Sequence, residues 1–179
     1  MLREFTVPRE FDRDDLAARL ARTRFPVPTP GPDWSAGTPP TFLRRLVHRW
    51  QHGYDWEAAA ARLNRYPHAT ADLPDGRLHL AHHRNPGAPA VVLLHGWPST
   101  FAQMLPLVDL LARDFEVVVP SLPGFAFSPP LDQPFGEAVL TRMAHELMTD
   151  VLHHDRWLTY GEDVGTGPTE PVPARRGAA

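Results

Sequence analysis

Cysteine is absent from the 179-residue chain, which excludes disulfides and thiolate chemistry together. Lysine and isoleucine are missing as well; all 18 basic residues are arginine, a bias that G- and C-rich codons produce and that carries no functional signal. No sign of charge dominates: a net charge of −3 gives no electrostatic case for nucleic acid as a partner. Long hydrophobic runs are lacking too. The longest fully aliphatic stretch, Ala90 to Leu94, is far too short to span a bilayer, so no membrane span is expected. The N-terminus, MLREFTVPRE, has no apolar h-region, so a signal peptide is not expected and a cytoplasmic location is. There is no internal repeat. What remains is 42% apolar and 22% charged, the composition of a globular protein long enough to bury a sizeable core. Proline, with 21 residues, marks out its organisation.

Residues 1–67 read as helices separated by proline-rich loops. Asp12 can cap a helix with Asp15 at the capping-box position and Leu16 and Leu20 on one face. FPVPTPGPDW interrupts it, because prolines remove the donors that helix and central strand need. A second helix is expected with Thr38 as cap, Pro39 at its first position, and Leu43, Leu46, Val47 and Trp50 on an inward stripe. A third runs from Asp55 and stops before Pro67. Near residue 70 the period changes. Asp75-Gly76 is a turn signal, and Leu78, Leu80 and His82 then alternate. Ala90–Leu94, Phe115–Val119 and Trp157–Tyr160 read as strands covered on both faces. Between them fall a helix from Ser99, with Met104, Leu105, Val108 and Leu111 inward, and a long helix over 136–154. Strand–helix–strand–helix–strand means parallel crossovers and an α/β half.

Three short motifs follow these strands. Tyr160-Gly161-Glu162-Asp163-Val164-Gly165 is either a surface turn or a nucleophile elbow with Asp where G-x-S-x-G has Ser. His95-Gly96-Trp97-Pro98 is either a strand-to-helix turn with a packed Trp or a loop that presents a backbone N–H outward, as an oxyanion donor does. Pro120-Ser-Leu-Pro-Gly-Phe125 alone is a proline turn. In open α/β sheets, sites lie beyond the carboxyl ends of the strands, and His95 and Asp163 both occupy such positions. His79, His82 and His83 could be read as zinc ligands, but histidines on an alternating strand beside Arg fit half-exposed packing better, and no metal is expected. Glu162 is expected to contact the neighbouring turn.

Together the motifs resemble the epoxide hydrolases of the α/β-hydrolase superfamily, in the branch with a helical N-terminal extension. The resemblance covers residues 1 to about 167 and rests on Tyr54–Asn64, the Pro67-His68 step, HGWP, PSLPGF and GEDVG. It implies an α/β fold: the N-terminal half of an α/β-hydrolase parallel-sheet core (71–167), preceded by a helical, proline-rich extension (1–70) and followed by a disordered, out-of-family tail (168–179). It implies that Asp163 is the nucleophile and that the Trp97 and Val164 N–H groups form the oxyanion hole. His95, Gly96, Pro98, Gly161 and Gly165 are the remaining motif positions. His95 is a structural hydrogen bonder, since the family's base is a histidine found late in the chain.

The implied substrate is a small hydrophobic epoxide, converted to a vicinal diol through an aspartyl ester without a cofactor, in catabolism of aromatic hydrocarbons or detoxification. A haloalkane-type dehalogenase shares the Asp nucleophile and stays open as an alternative. In the family an acid and a His follow the nucleophile, and lid tyrosines protonate the epoxide oxygen. Here no His follows Asp163, the sole later acid is Glu170, and Tyr54, Tyr66 and Tyr160 all precede the elbow. A frameshift or gene truncation is the simplest expected cause. The chain is then inactive alone, completed by a complementing C-terminal chain, self-associated through an exposed sheet edge, or a non-catalytic remnant.

Overall fold

A computed structural model describes residues 1–28, 30–134 and 136–169. Residues 170–179 of the expected tail lie outside the described residues, whereas Asp163–Thr169 form a short 3-10 segment that contains Pro168. Contacts divide the chain into two compact units, Pro8–Arg62 and the remainder.

The larger unit is built on one six-stranded mixed sheet in the order β1-β2-β3-β5-β4-β6. Its strands are β1 (Leu2–Phe5), β2 (His68–Leu73), β3 (Gly76–His83), β4 (Ala90–Leu94), β5 (Glu116–Pro120) and β6 (Trp157–Gly161). β1, β2 and β3 run as antiparallel neighbours, with Gly76 at a φ of 152° opening the return strand of the hairpin. β4 pairs in parallel with both β5 and β6, as the apolar runs predict.

Side chains alternate across β4 and divide the core in two. Val92 and Leu94 pack with Val118, Leu78 and Leu80 beneath α5 (Glu137–Glu146) and its Leu140 and Met143. Val91 and Leu93 pack with Val117 and Val119 beneath α4 (Leu105–Leu111), with Phe101, Met104 and Val108. Burying each such side chain contributes about 1.5–3 kcal/mol. The register Leu94↔Gly161 is what matters for function. It delivers His95–Trp97 and Glu162–Val164 side by side off the carboxyl ends of neighbouring strands.

Three expectations change in the larger unit. The helical reading of the first residues misses β1, an edge strand whose Arg3 pairs with Asp72 at 2.8 Å. The helix over 136–154 is α-helical only to Glu146, and Leu147–Val151 widen to a π turn closed by Leu152 N–H on the Leu147 carbonyl. The helix from Ser99 instead begins as a 3-10 turn, Phe101–Gln103, capped by Thr100.

The smaller unit carries α1 (Arg13–Ala21), α2 (Pro40–Gly53) and most of α3 (Trp56–Leu63). Asp12 caps α1 as expected, accepting from the Asp15 N–H, and Asp55 accepts from Ala58 N–H at the start of α3. α2 starts one residue later than expected, with Pro39 at its cap and no side-chain hydrogen bond there. Its expected inward stripe is not buried. Leu46 and Trp50 stay about half exposed and line an apolar groove of about 650 Å³ with Phe11, Leu16, Tyr54 and Trp56. Among the described residues no helix is long and apolar enough to cross a membrane.

Candidate active site

β6 ends at Gly161, and the chain turns so sharply that Asp163 sits at a φ of 51°, a region a non-glycine residue rarely adopts. Backbone hydrogen bonds hold the turn: Glu162 N–H donates to the Leu94 carbonyl at 3.1 Å, and Gly165 N–H to the Glu162 carbonyl at 2.8 Å. The two glycines are sterically required. A Cβ on Gly161 would collide with the Gly165 carbonyl, and one on Gly165 would lie 2.7 Å from the Leu94 oxygen and 2.8 Å from that of His95. The turn therefore lifts an exposed Asp163 carboxylate above the end of the sheet.

The loop after β4 meets it. Trp97 N–H donates to Asp163 Oδ1 at 3.0 Å. Hydrogen bonds from the Trp97 and then the Val164 N–H groups hold the Asp163 carboxyl below the usual carboxylate range against a smaller opposing effect of burial. The carboxylate is thus ionised, with two converging backbone donors. The Trp97 side chain projects outward, 68% exposed, and its peptide bond to Pro98 is cis.

His95 lies fully buried beneath this loop. Its Nε2 accepts the Leu122 N–H at 3.0 Å, which leaves Nδ1 as the donor to the Gly96 carbonyl at 3.0 Å. Burial holds its pKa below the ordinary value despite the Gly96 hydrogen bond, so the ring is neutral. The PSLPGF turn thereby buttresses HGWP, with the Phe125 ring edge-on to His95 at 5.2 Å. The structure places His95 in the interior, away from the exposed face, with both ring nitrogens hydrogen-bonded to the backbone.

Of the three histidines expected to be half-exposed, His83 is, whereas His79 and His82 are both buried. The Leu63 carbonyl can only accept, so His68 Nε2, 2.9 Å away, carries a proton and its Nδ1 accepts. His79 Nε2 must then donate to His68 Nδ1 at 3.0 Å, leaving His79 Nδ1 to accept the Ser121 hydroxyl at 2.8 Å. Ser128 completes the cluster, accepting from the His79 N–H and donating to the Ser121 carbonyl. Elsewhere His82 Nε2 lies 2.6 Å and His154 Nε2 3.4 Å from Glu116 Oε1. Among the described residues no group of three or more His, Asp and Glu could hold a metal ion.

Glu162 contacts the turn after HGWP, as its position suggests. Its Oε2 accepts from Gln103 Nε2 at 3.0 Å and its Oε1 from the Tyr160 hydroxyl at 2.7 Å. Gln103 Oε1 is in turn held by the Ser99 hydroxyl. Sequence reasoning read Ser99 only as a helix start and Tyr160 only as a strand end, and passed over Gln103. Ser99 and Gln103 four apart, and Tyr160 and Glu162 two apart on a strand end, are spacings that place side chains on one face.

Known proteins resemble the chain over most of its length. Residues 3–104 match the family described as "Epoxide hydrolase N terminus", and residues 89–168 match "alpha/beta hydrolase fold". The Stigmatella aurantiaca (strain DW4/3-1) protein named "Putative epoxide hydrolase" is 38% identical over 168 residues, covering 87% of this chain and 38% of its own length. Juvenile hormone epoxide hydrolase 2 of Ctenocephalides felis is 27% identical, covering 84% of this chain and 35% of its own. Among solved structures, the epoxide hydrolase of Aspergillus niger superposes with a TM-score of 0.77 at 30% identity, over 93% of this chain and 47% of that one. The chain therefore spans between about a third and a half of the length of these relatives.

Proposed function

The chain belongs to the epoxide hydrolase family, and from that premise we propose that Asp163 is the nucleophile that opens a small hydrophobic epoxide. One observation carries this reading: an ionised carboxylate raised on a tight elbow, with the Trp97 N–H already 3.0 Å from Oδ1. With Oδ1 held, Oδ2 is the oxygen that attacks the less hindered epoxide carbon. The new Oδ2–carbon bond forms as the ring C–O bond breaks, and in this chain the departing oxygen takes its proton from solvent water, which makes the step slow. The product is an alkyl ester of Asp163. A serine attacking the same carbon would form an ether with no route to release, which is why a carboxylate suits this chemistry. Water then adds to the ester carbonyl, and the negative charge that develops on Oδ1 falls where the Trp97 and Val164 N–H groups converge. Each such donor is typically worth about 3–4 kcal/mol in the transition state.

Within the 179 residues no His follows Asp163 to activate that water. General base catalysis contributes about 10²–10⁴-fold, so these residues alone are expected to form the ester without sustained turnover. Incubation with styrene oxide should give a slow, substoichiometric mass increase and no diol. Steady diol production abolished by Asp163→Ala would overturn the expectation of no turnover while keeping the nucleophile. Diol production that survives Asp163→Ala but vanishes with His95→Ala would overturn the elbow reading itself.

A dehalogenase with the same nucleophile is the second reading of this carboxylate. The match over residues 3–104 favours the epoxide hydrolase.

A further inference from the structure

Resting on that reading, we propose that Glu162 is a positioning residue for the nucleophile: gripped by Gln103 and Tyr160, it fixes the gap between the elbow and the Trp97 loop. A second carboxylate beside Asp163 is electrostatically unhelpful, since like charges disfavour ionisation of a nucleophile that must be ionised. Among the described residues no arginine or histidine forms an ion pair with it. Both of its oxygens are instead taken by neutral donors, Gln103 Nε2 at 3.0 Å and the Tyr160 hydroxyl at 2.7 Å. The contacts are those of a clamp.

The clamp joins two segments that must keep a fixed separation. On one side Glu162 belongs to the elbow, with its N–H on the Leu94 carbonyl and its carbonyl receiving the Gly165 N–H. On the other, Gln103 is tied to Ser99, whose N–H closes the Gly96–Ser99 turn by donating to the Gly96 carbonyl at 3.0 Å. Trp97 lies inside that turn. The path from Glu162 through Gln103 and Ser99 therefore returns to the loop that offers the Trp97 N–H to Asp163. Hydrogen bonds of this kind weaken steeply with small displacements, so a retreat of this loop by about half an ångström takes the donor out of reach. Tyr160 fixes the carboxylate from the strand side, and the bond raises the tyrosine's own pKa, chiefly because the phenol donates to Glu162.

The test separates geometry from charge. Asp163 is titrated by carbon-detected NMR in the wild-type chain, Glu162→Ala, Glu162→Gln and Gln103→Leu, and adduct formation with styrene oxide is timed by mass in each. A clamp predicts that Glu162→Ala and Gln103→Leu both move the Asp163 pKa up, toward an ordinary carboxylate, and slow adduct formation at least tenfold. Glu162→Gln keeps an amide able to meet the same partners and leaves the Asp163 titration at or below wild type. A purely electrostatic Glu162 would instead move Asp163 down in both Glu162 variants and leave Gln103→Leu unchanged, which overturns the proposal. So does a titration unmoved in all three. Backbone amide spectra identify a variant that loses its fold, and Glu162→Ala and Gln103→Leu each suffice without the other. Should the wild-type chain form no adduct, the functional reading fails while the titration still decides the clamp.

Discussion

Acid should unfold this protein through His79. Its ring is enclosed by Phe5 at 4.9 Å, Phe101 at 4.8 Å and Phe127 at 5.1 Å, and its two nitrogens are committed to His68 and Ser121. Burial, followed by the neighbouring His68, pushes its pKa from 6.5 down to about 3. The unfolded chain takes up this proton as the pH falls through 6.5, and the native state does not until about 3. Stability from a neutral His79 is therefore fully present above pH 6.5 and lost progressively below it. At about 1.36 kcal/mol for each pH unit, the loss is about 2 kcal/mol at pH 5 and about 3 kcal/mol at pH 4. Against the 5–15 kcal/mol that holds a typical domain together, that is a large share. His68 and His95, lowered mainly by burial, act with the same sign. Urea unfolding followed by circular dichroism at pH 7 and pH 5 measures the slope. Wild type should lose at least about 2 kcal/mol between them, and His79→Gln, though less stable at pH 7, should lose about 2 kcal/mol less. Equal losses in the two proteins would refute the reasoning.

Other perturbations follow from single contacts. Gly165→Ala forces a methyl against the Leu94 and His95 carbonyls at 2.7 and 2.8 Å, so a loss of about 1–3 kcal/mol in urea unfolding and of Asp163 modification should appear together. Asn64 accepts the N–H of buried Val7 at 2.8 Å and donates to its carbonyl at 3.0 Å. Asn64→Leu leaves both groups unsatisfied, and a cost of about 1–3 kcal/mol for each should appear as a lowered urea midpoint. Leu147, fully buried at the start of the π turn, should cost about 2–5 kcal/mol on replacement by alanine, again by urea unfolding.

The parallel part of the sheet was legible because buried strands leave continuous apolar runs, as in AVVLL and EVVVP. The tight turn after β6 was legible because glycine stands at positions 161 and 165, where a Cβ would meet backbone. β1 was not, since Arg3 and Glu4 on this edge strand are both exposed and only the half-buried Leu2 and Phe5 mark it, too few for a period. The histidine cluster was hidden for another reason. His on an alternating strand looks the same whether it meets solvent or a serine 42 residues away, and only tertiary pairing distinguishes them. The stripe on α2 was read correctly as apolar, but an apolar stripe does not say whether it is covered; here it lines a groove. The Glu162 clamp lies between these cases, half written in local spacings and half in the register that lays β6 beside β4.

Which atom of this chain an epoxide meets decides whether Asp163 is the nucleophile. Tandem mass spectrometry of the chain after exposure to styrene oxide, with hydroxylamine used to cleave esters, answers that directly. A nucleophilic Asp163 predicts a single hydroxylamine-labile adduct on Asp163, absent from Asp163→Asn. An adduct on any other residue with Asp163 unmodified, or equal labelling of Asp163→Asn, would contradict it.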